Sequence, residues 1–138
     1  MNEKDKKLLL KDLCARLPYN VIINCTEEDN EKTNFDCFLS ADMIKDIKSG
    51  TEYWIIKPYL RQISSMTEKE KYEIQGILGK DVEIFDDFIN IIDSSRKRFS
   101  FLELQAVFDW LNVHHFDYLG LIEKNLAIEV TNENNLYK

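Results

Sequence analysis

Val21-Ile22-Ile23-Asn24-Cys25 is the stretch that decides the fold class. Three β-branched residues in a row favour an extended, buried strand over a helix. The next nine residues, Thr26-Glu-Glu-Asp-Asn-Glu-Lys-Thr-Asn34, are wholly polar and suit a mobile hairpin loop at the surface. Residues 35–39 are then the return strand. A third strand is expected over residues 52–56, built on Tyr53 and Trp54, with Pro58 limiting how far it can pair.

Helices flank this strand-rich segment. Leu10, Leu13, Cys14 and Leu17 recur at helical spacing over residues 5–17, with Leu9 widening the stripe. Asp5 is the expected N-cap, and Pro18 stops the helix. Residues 40–50 fit either class: Met43, Ile44 and Ile47 have helical spacing in a short segment that ends at Ser49-Gly50. Thr67 and Glu70 form a capping box that predicts a helix over residues 67–78, ending at Gly79. Phe85, Phe88, Ile89 and Ile92 predict another helix over residues 82–93, with a polar connection after it. Ser100 and Glu103 form a second capping box, opening a helix that runs to about Val113. This last helix is apolar nearly all round, which predicts a central place in the core. A short helix over 120–125, a strand over 126–130 and a frayed polar tail from Thr131 are expected at the C-terminal end. The expected fold class is α+β in one domain over residues 1–138. It has an N-terminal helix, a small antiparallel sheet of SH3-like or Sm-like kind, and a mainly helical C-terminal half.

The totals limit what such a domain does. The chain has 138 residues, four glycines, two prolines and a formal charge of −7. Its apolar runs are three or four residues long, whereas a membrane-spanning helix needs roughly 20. The N-terminus has no signal-peptide pattern. Cys14, Cys25 and Cys37 are odd in number and form no C-x-x-C pair, so free thiols in a reducing, cytoplasmic setting are expected. Residues 21–50 carry seven acidic and three basic side chains, and no segment is strongly basic. Bulk attraction to nucleic acid or anionic lipid is therefore not expected.

Two constellations could carry chemistry. Asn112-Val-His114-His115-Phe-Asp117 holds the two histidines of the chain and a carboxylate. His114, His115 and Asp117 could ligate a metal, but neighbours on a helix point about 100° apart, so the bland expectation is that the pair caps a helix end. No metal and no cofactor is expected. Lys57-Pro-Tyr59-Leu-Arg61 places two cations and an aromatic ring on one face of a strand, a pattern that can hold phosphate and stack a base. Arg96, Lys97 and Arg98 could extend it. Asp86-Asp87 and Glu27-Glu28-Asp29 are expected to be solvated charge. Ser64-Ser65 lies in no nucleophile motif, and no glycine-rich phosphate loop occurs, so no catalytic residue is assigned.

Three stretches carry a resemblance. They are Leu8-Leu-Leu-Lys-Asp-Leu-Cys-Ala-Arg-Leu-Pro-Tyr19, then Lys57-Pro-Tyr-Leu-Arg61 with Ser64-Ser-Met-Thr-Glu68, then Trp110-Leu111, His114-His-Phe-Asp-Tyr118 and Gly120-Leu-Ile-Glu-Lys124. Together the chain resembles a family of small proteins, without an assigned activity, encoded by gut Bacteroides-type bacteria and their phages or prophages. The resemblance implies a cytoplasmic protein of mobile-element origin and assigns no catalytic residue. Three functions are expected in order: a non-enzymatic protein-interaction module, a nucleic-acid-associated domain, and a small metal-dependent enzyme.

Overall fold

The computed structural model describes residues 1–50, 54–79, 82–84, 89–91 and 100–137, with backbone alone over 82–84 and 89–91. The fold is α+β.

Helix α1 spans Glu3–Arg16. Its N-cap is Asn2 rather than Asp5, because the Asn2 side chain accepts the Asp5 N–H at 2.8 Å. Asp5 instead adds negative charge to the first turn, where the helix dipole favours it. A 3-10 turn over Leu17–Tyr19 takes Pro18 near its start, where a missing N–H costs nothing. Asn20, in a left-handed conformation, turns the chain into β1, Ile22–Glu27.

The hairpin is tighter than expected. β1 continues through Thr26 to Glu27, and β2 spans Asn30–Phe38, so most of the polar 26–34 stretch is strand. β2 pairs only with β1 and is the outer strand of the described sheet, with every residue but Cys37 exposed. A solvated edge has no need of apolar residues, and charged side chains there discourage unwanted pairing. The register slips between Thr26 and Glu27, absorbing residues 31–33.

Helix α2, Ala41–Ser49, settles the ambiguous segment: Ser40 caps it, and Gly50 ends it at φ 75°, a left-handed angle glycine takes freely. β3 spans Trp54–Leu60 and runs through Pro58. Pro58 faces Ile23 at the last paired position of β1. The Leu60 carbonyl accepts the Val130 N–H, so Pro58, two residues earlier, also turns its nitrogen to that flank and away from β1. The next rung is not a direct bond. The Tyr137 hydroxyl accepts the Ile22 N–H and donates to the Tyr59 carbonyl, both at 2.9 Å. The C-terminal tail is therefore pinned rather than frayed, helped by Asn134, which accepts the Thr131 N–H and donates to the Glu129 carbonyl.

β6, Ile128–Glu129, joins β3 in parallel, giving the order β2-β1-β3-β6. The described sheet is mixed rather than wholly antiparallel, because β6 runs parallel to β3. Residues 82–84 and 89–91 also differ from the expected helix. They form strands β4, Val82–Ile84, and β5, Ile89–Ile91, paired antiparallel with Val82 opposite Ile91. Val82, Ile84, Ile89 and Ile91 alternate with polar residues, so period two prevails over the helical spacing. Phe85, Phe88 and Ile92, which carried that spacing, lie outside the described residues.

Helices α3, Glu68–Leu78, and α4, Phe101–Val113, both start on capping boxes as expected. The 120–125 segment is a run of turns rather than a helix. The core has two clusters. The first joins Leu9 and Leu13 of α1 to Val21, Ile23, Cys25, Ile47, Ile56, Leu60 and Leu121. The second comprises Ile63, Ile74, Leu78, Leu111 and Phe116. Leu60 and Ile63 lie three residues apart in different clusters, so the chain passes between them without a linker. α4 is not central: of its residues only Leu111 and Asn112 are buried, and Phe101 is 91% exposed. Among the described residues no helix is long and apolar enough to cross a membrane.

Candidate functional site

The two constellations seen in the sequence meet at the end of β3. Arg61 forms a parallel bridge with Phe116: its N–H donates to the His115 carbonyl, and its carbonyl accepts the Asp117 N–H, both at 2.8 Å. An open groove of about 830 Å³ lies beside this bridge, lined by Arg61, Thr67, Glu70, His114, His115 and Tyr137 among others.

The polar groups here are mostly committed to one another. The Arg61 guanidinium makes two 2.7 Å bonds to the Glu70 carboxylate and lies 4.2 Å from the Phe116 ring centre. Glu70 also accepts the Thr67 N–H, closing the α3 capping box. Burial would raise the Glu70 carboxyl, but the hydrogen bonds from Arg61 and Thr67 and the charge of Arg61 bring it down to about 2.

His114 is the C-cap of α4, as its position in the sequence suggested. Its ring lies against Trp110, with centroids 4.3 Å apart, and its nitrogens stand 3.6 Å from Glu70 and Glu73. Those separations are too long for hydrogen bonds. His115 takes a left-handed φ of 62° and stacks on Tyr137 at 3.7 Å, so the two imidazoles have different neighbours. Asp117 turns the other way. Its two carboxylate oxygens accept the Leu121 and Ile122 N–H groups, each at 2.9 Å. The three residues thus do not converge on a point, and no cluster of three or more His, Cys, Asp or Glu among the described residues could hold a metal.

The Lys57, Tyr59, Arg61 face is also drawn into the fold. Tyr59 is 8% exposed, and its hydroxyl donates to Asp36. Lys57 donates to Asn125 at 3.1 Å. A ring so buried offers no face for a base to stack on. Arg96, Lys97 and Arg98 lie outside the described residues, as do Asp86 and Asp87. Ser65 donates its hydroxyl to the Gln62 carbonyl. Cys14 is exposed, Cys25 buried and Cys37 half-buried, all three as free thiols.

Sequence reasoning missed three participants. Asp12 and Arg16 are fully buried, joined by a 2.8 Å bond, and Arg16 also donates to the Phe116 carbonyl behind the groove. The signal was their place on the inner stripe with Leu9 and Leu13, at positions 9, 12, 13 and 16. Tyr137, an aromatic in a polar tail, gave a weaker signal.

Burial, with the charges of Arg16, His114 and Arg61 around it, lowers His115 to about 4. The unfolded chain then takes up this proton more readily, so stability falls as pH drops from about 6.5 towards 4. Glu70 adds a further loss between its ordinary value of 4.5 and about 2, where the unfolded chain again binds the proton first. Urea midpoints measured from pH 7 to pH 4 should decline. His115→Asn, which tolerates the left-handed backbone, should flatten that decline. An unchanged slope would remove His115 as its cause.

Comparison with protein-family profiles, curated proteins and solved structures returns no match.

Proposed function

We propose that this is a non-enzymatic interaction protein, an accessory factor of the phage or prophage kind, that binds a protein partner through α4. The carrying observation is the exposure of this helix's apolar residues: Phe101 is 91% exposed, Leu102 82%, Phe108 45% and Leu104 41%. Leaving side chains as exposed as Phe101 and Leu102 in water forgoes roughly 1.5–3 kcal/mol each, so such a surface points to a partner. The capping box at Ser100 and Glu103 holds its first turn in shape before binding. Every charged residue within α4 is acidic, in a chain of net charge −7. The matching partner is an amphipathic segment with apolar anchors and basic flanks.

Phe101→Asp with Leu102→Asp should leave the urea midpoint nearly unchanged, within about 0.5 kcal/mol, because both positions are exposed. The same variant should lose a stoichiometric, nuclease-resistant partner recovered from the native host by the parent protein. Equal recovery by parent and variant would refute the role of α4. Nucleic-acid contact at Lys57, Tyr59 and Arg61 is the weaker reading, given the burial of Tyr59. It would gain only from recovery abolished by nuclease, together with a salt-sensitive gel shift.

A further inference from the structure

A second cavity, of about 360 Å³, opens against the first half of β3. Trp54, Ile55, Ile56 and Lys57 all line it, together with Leu9 of α1, Ile47 of α2 and Leu126. Trp54 and Ile56 pack with the first core cluster, whereas Ile55 lies on the other face and is 44% exposed. A cavity over one face of a strand would meet every second residue, so one that meets four in succession opens on the strand's edge. β1 holds one edge of β3 from Trp54 to Pro58. The cavity therefore lies on the other edge, the one that β6 takes further along.

That edge has hydrogen-bonding groups to offer. The Leu60 carbonyl accepts the Val130 N–H there, and every second residue of a strand turns its N–H and C=O to the same side. Ile56 and Trp54 are in step with Leu60, so their backbone groups face the cavity, while those of Ile55 and Lys57 face β1. Among the described residues, β3 pairs on this side only at Tyr59 and Leu60. The chain just before β6 does not close the gap, because the Asn125 and Leu126 N–H groups bond back to the Ile122 and Leu121 carbonyls. Leu9, Ile47, Ile56 and Leu126 belong to the first core cluster, so the floor of the cavity is apolar. The charged side chains on the lining, Asp5, Glu28, Lys57 and Lys124, balance in sign.

We propose that this edge receives an extended, uncharged segment of a partner protein with one apolar side chain, added as a short strand in line with β6. The main chain of the segment bonds Trp54 and Ile56, and its apolar side chain fills the floor. A purely apolar molecule would cover those backbone groups without bonding them, which is unfavourable. A charged one would meet both signs on the lining. The cavity is near the small end of the range for ligand sites, which suits a segment of a few residues. The site is separate from the α4 surface and stands or falls without it.

The test is an NMR titration of the isotope-labelled chain with acetyl-Ser-Thr-Leu-Thr-Ser-amide, capped at both ends as an internal segment of a protein is. The amide protons of Trp54 and Ile56 should shift saturably and exchange at least tenfold more slowly with solvent. Those of Ile55 and Lys57, which face β1, should keep their rates. Replacing the leucine of the peptide by aspartate should weaken binding at least tenfold. N-methylation of the peptide should cost as much at alternate positions only. The sensitive position is the leucine if the segment runs against β3, and the two threonines if it runs with it. The Phe101→Asp, Leu102→Asp variant should bind the peptide as the parent does. No saturation up to millimolar concentration, unchanged exchange at Trp54 and Ile56, or N-methylation that costs binding at all three positions or at none would overturn the proposal.

Discussion

Arg16→Met should destabilise the protein by about 3–5 kcal/mol, the cost of leaving a buried charge without its partner. Arg16 and Asp12 are both fully buried, one helical turn apart on the inner face of α1. Arg16 also donates to the Phe116 carbonyl and lies 5.1 Å from the Tyr118 ring centre. It therefore ties α1 to the bridge that orders the groove. Burial pushes the Asp12 carboxyl up, and the charge of and bond from Arg16 oppose that push. Without Arg16 only the push remains, and Asp12 takes up a proton on folding. An acid whose folded pKa is raised binds more protons folded than unfolded, so acidification favours the folded state. The deficit of Arg16→Met should thus shrink as pH is lowered from 7 towards 5, opposite to the parent's decline. Asp12→Leu combined with Arg16→Met should recover most of the loss, since an apolar pair of similar volume needs no compensation. Urea denaturation of the three proteins at both pH values decides it. A single variant within 1 kcal/mol of the parent, or a double variant no better than the single, would show that the pair carries little of the packing.

Local features were the legible ones in the sequence. Thr67 with Glu70 and Ser100 with Glu103 form capping boxes because each needs only four residues of chain. The β-branched run at residues 21–25 announced a buried strand for the same reason. Misreadings arose where a distant partner decides the outcome. Residues 30–34 are polar because β2 is an outer strand, and strand order is not written into the strand itself. The stretch that holds residues 82–84 and 89–91 carries two periods at once in its sequence, and for those two segments pairing selects the shorter. α4 has the composition of a core helix but packs on one side only, and this mismatch is the observation on which its proposed role rests. Within the candidate site, Arg61 and the His114–Asp117 segment were both singled out, yet their adjacency comes from a bridge between residues 55 apart in number, Arg61 and Phe116. Tyr137 stands as a ladder rung for β1 and β3, a role that no spacing in the tail could indicate.

Asp117→Ala should cost about 3 kcal/mol or more, through the backbone rather than through any metal. Its carboxylate accepts two N–H groups at 2.9 Å, from Leu121 and Ile122. Leu121 is fully buried in the first core cluster, and Asp117 itself is 5% exposed. Hydrogen bonds to a charged acceptor contribute about 1.5–3 kcal/mol each, and a buried donor left without an acceptor adds its own desolvation cost. Asp117→Asn keeps one carbonyl oxygen but turns an amide towards the other donor, so its loss should fall between parent and alanine. The turn held by Asp117 delivers Leu126 and Ala127 to the core and Ile128 to β3. Alanine should therefore also accelerate amide exchange across β6, while β1 and β2 keep their protection. Zinc offers the contrast. If His114, His115 and Asp117 were ligands, added zinc would raise the parent's midpoint, and Asp117→Ala would abolish that rise. The expected result is a midpoint indifferent to zinc in both proteins and a large metal-free deficit in the variant. A zinc-dependent gain confined to the parent would instead place Asp117 in a metal site and overturn its assignment as a turn cap.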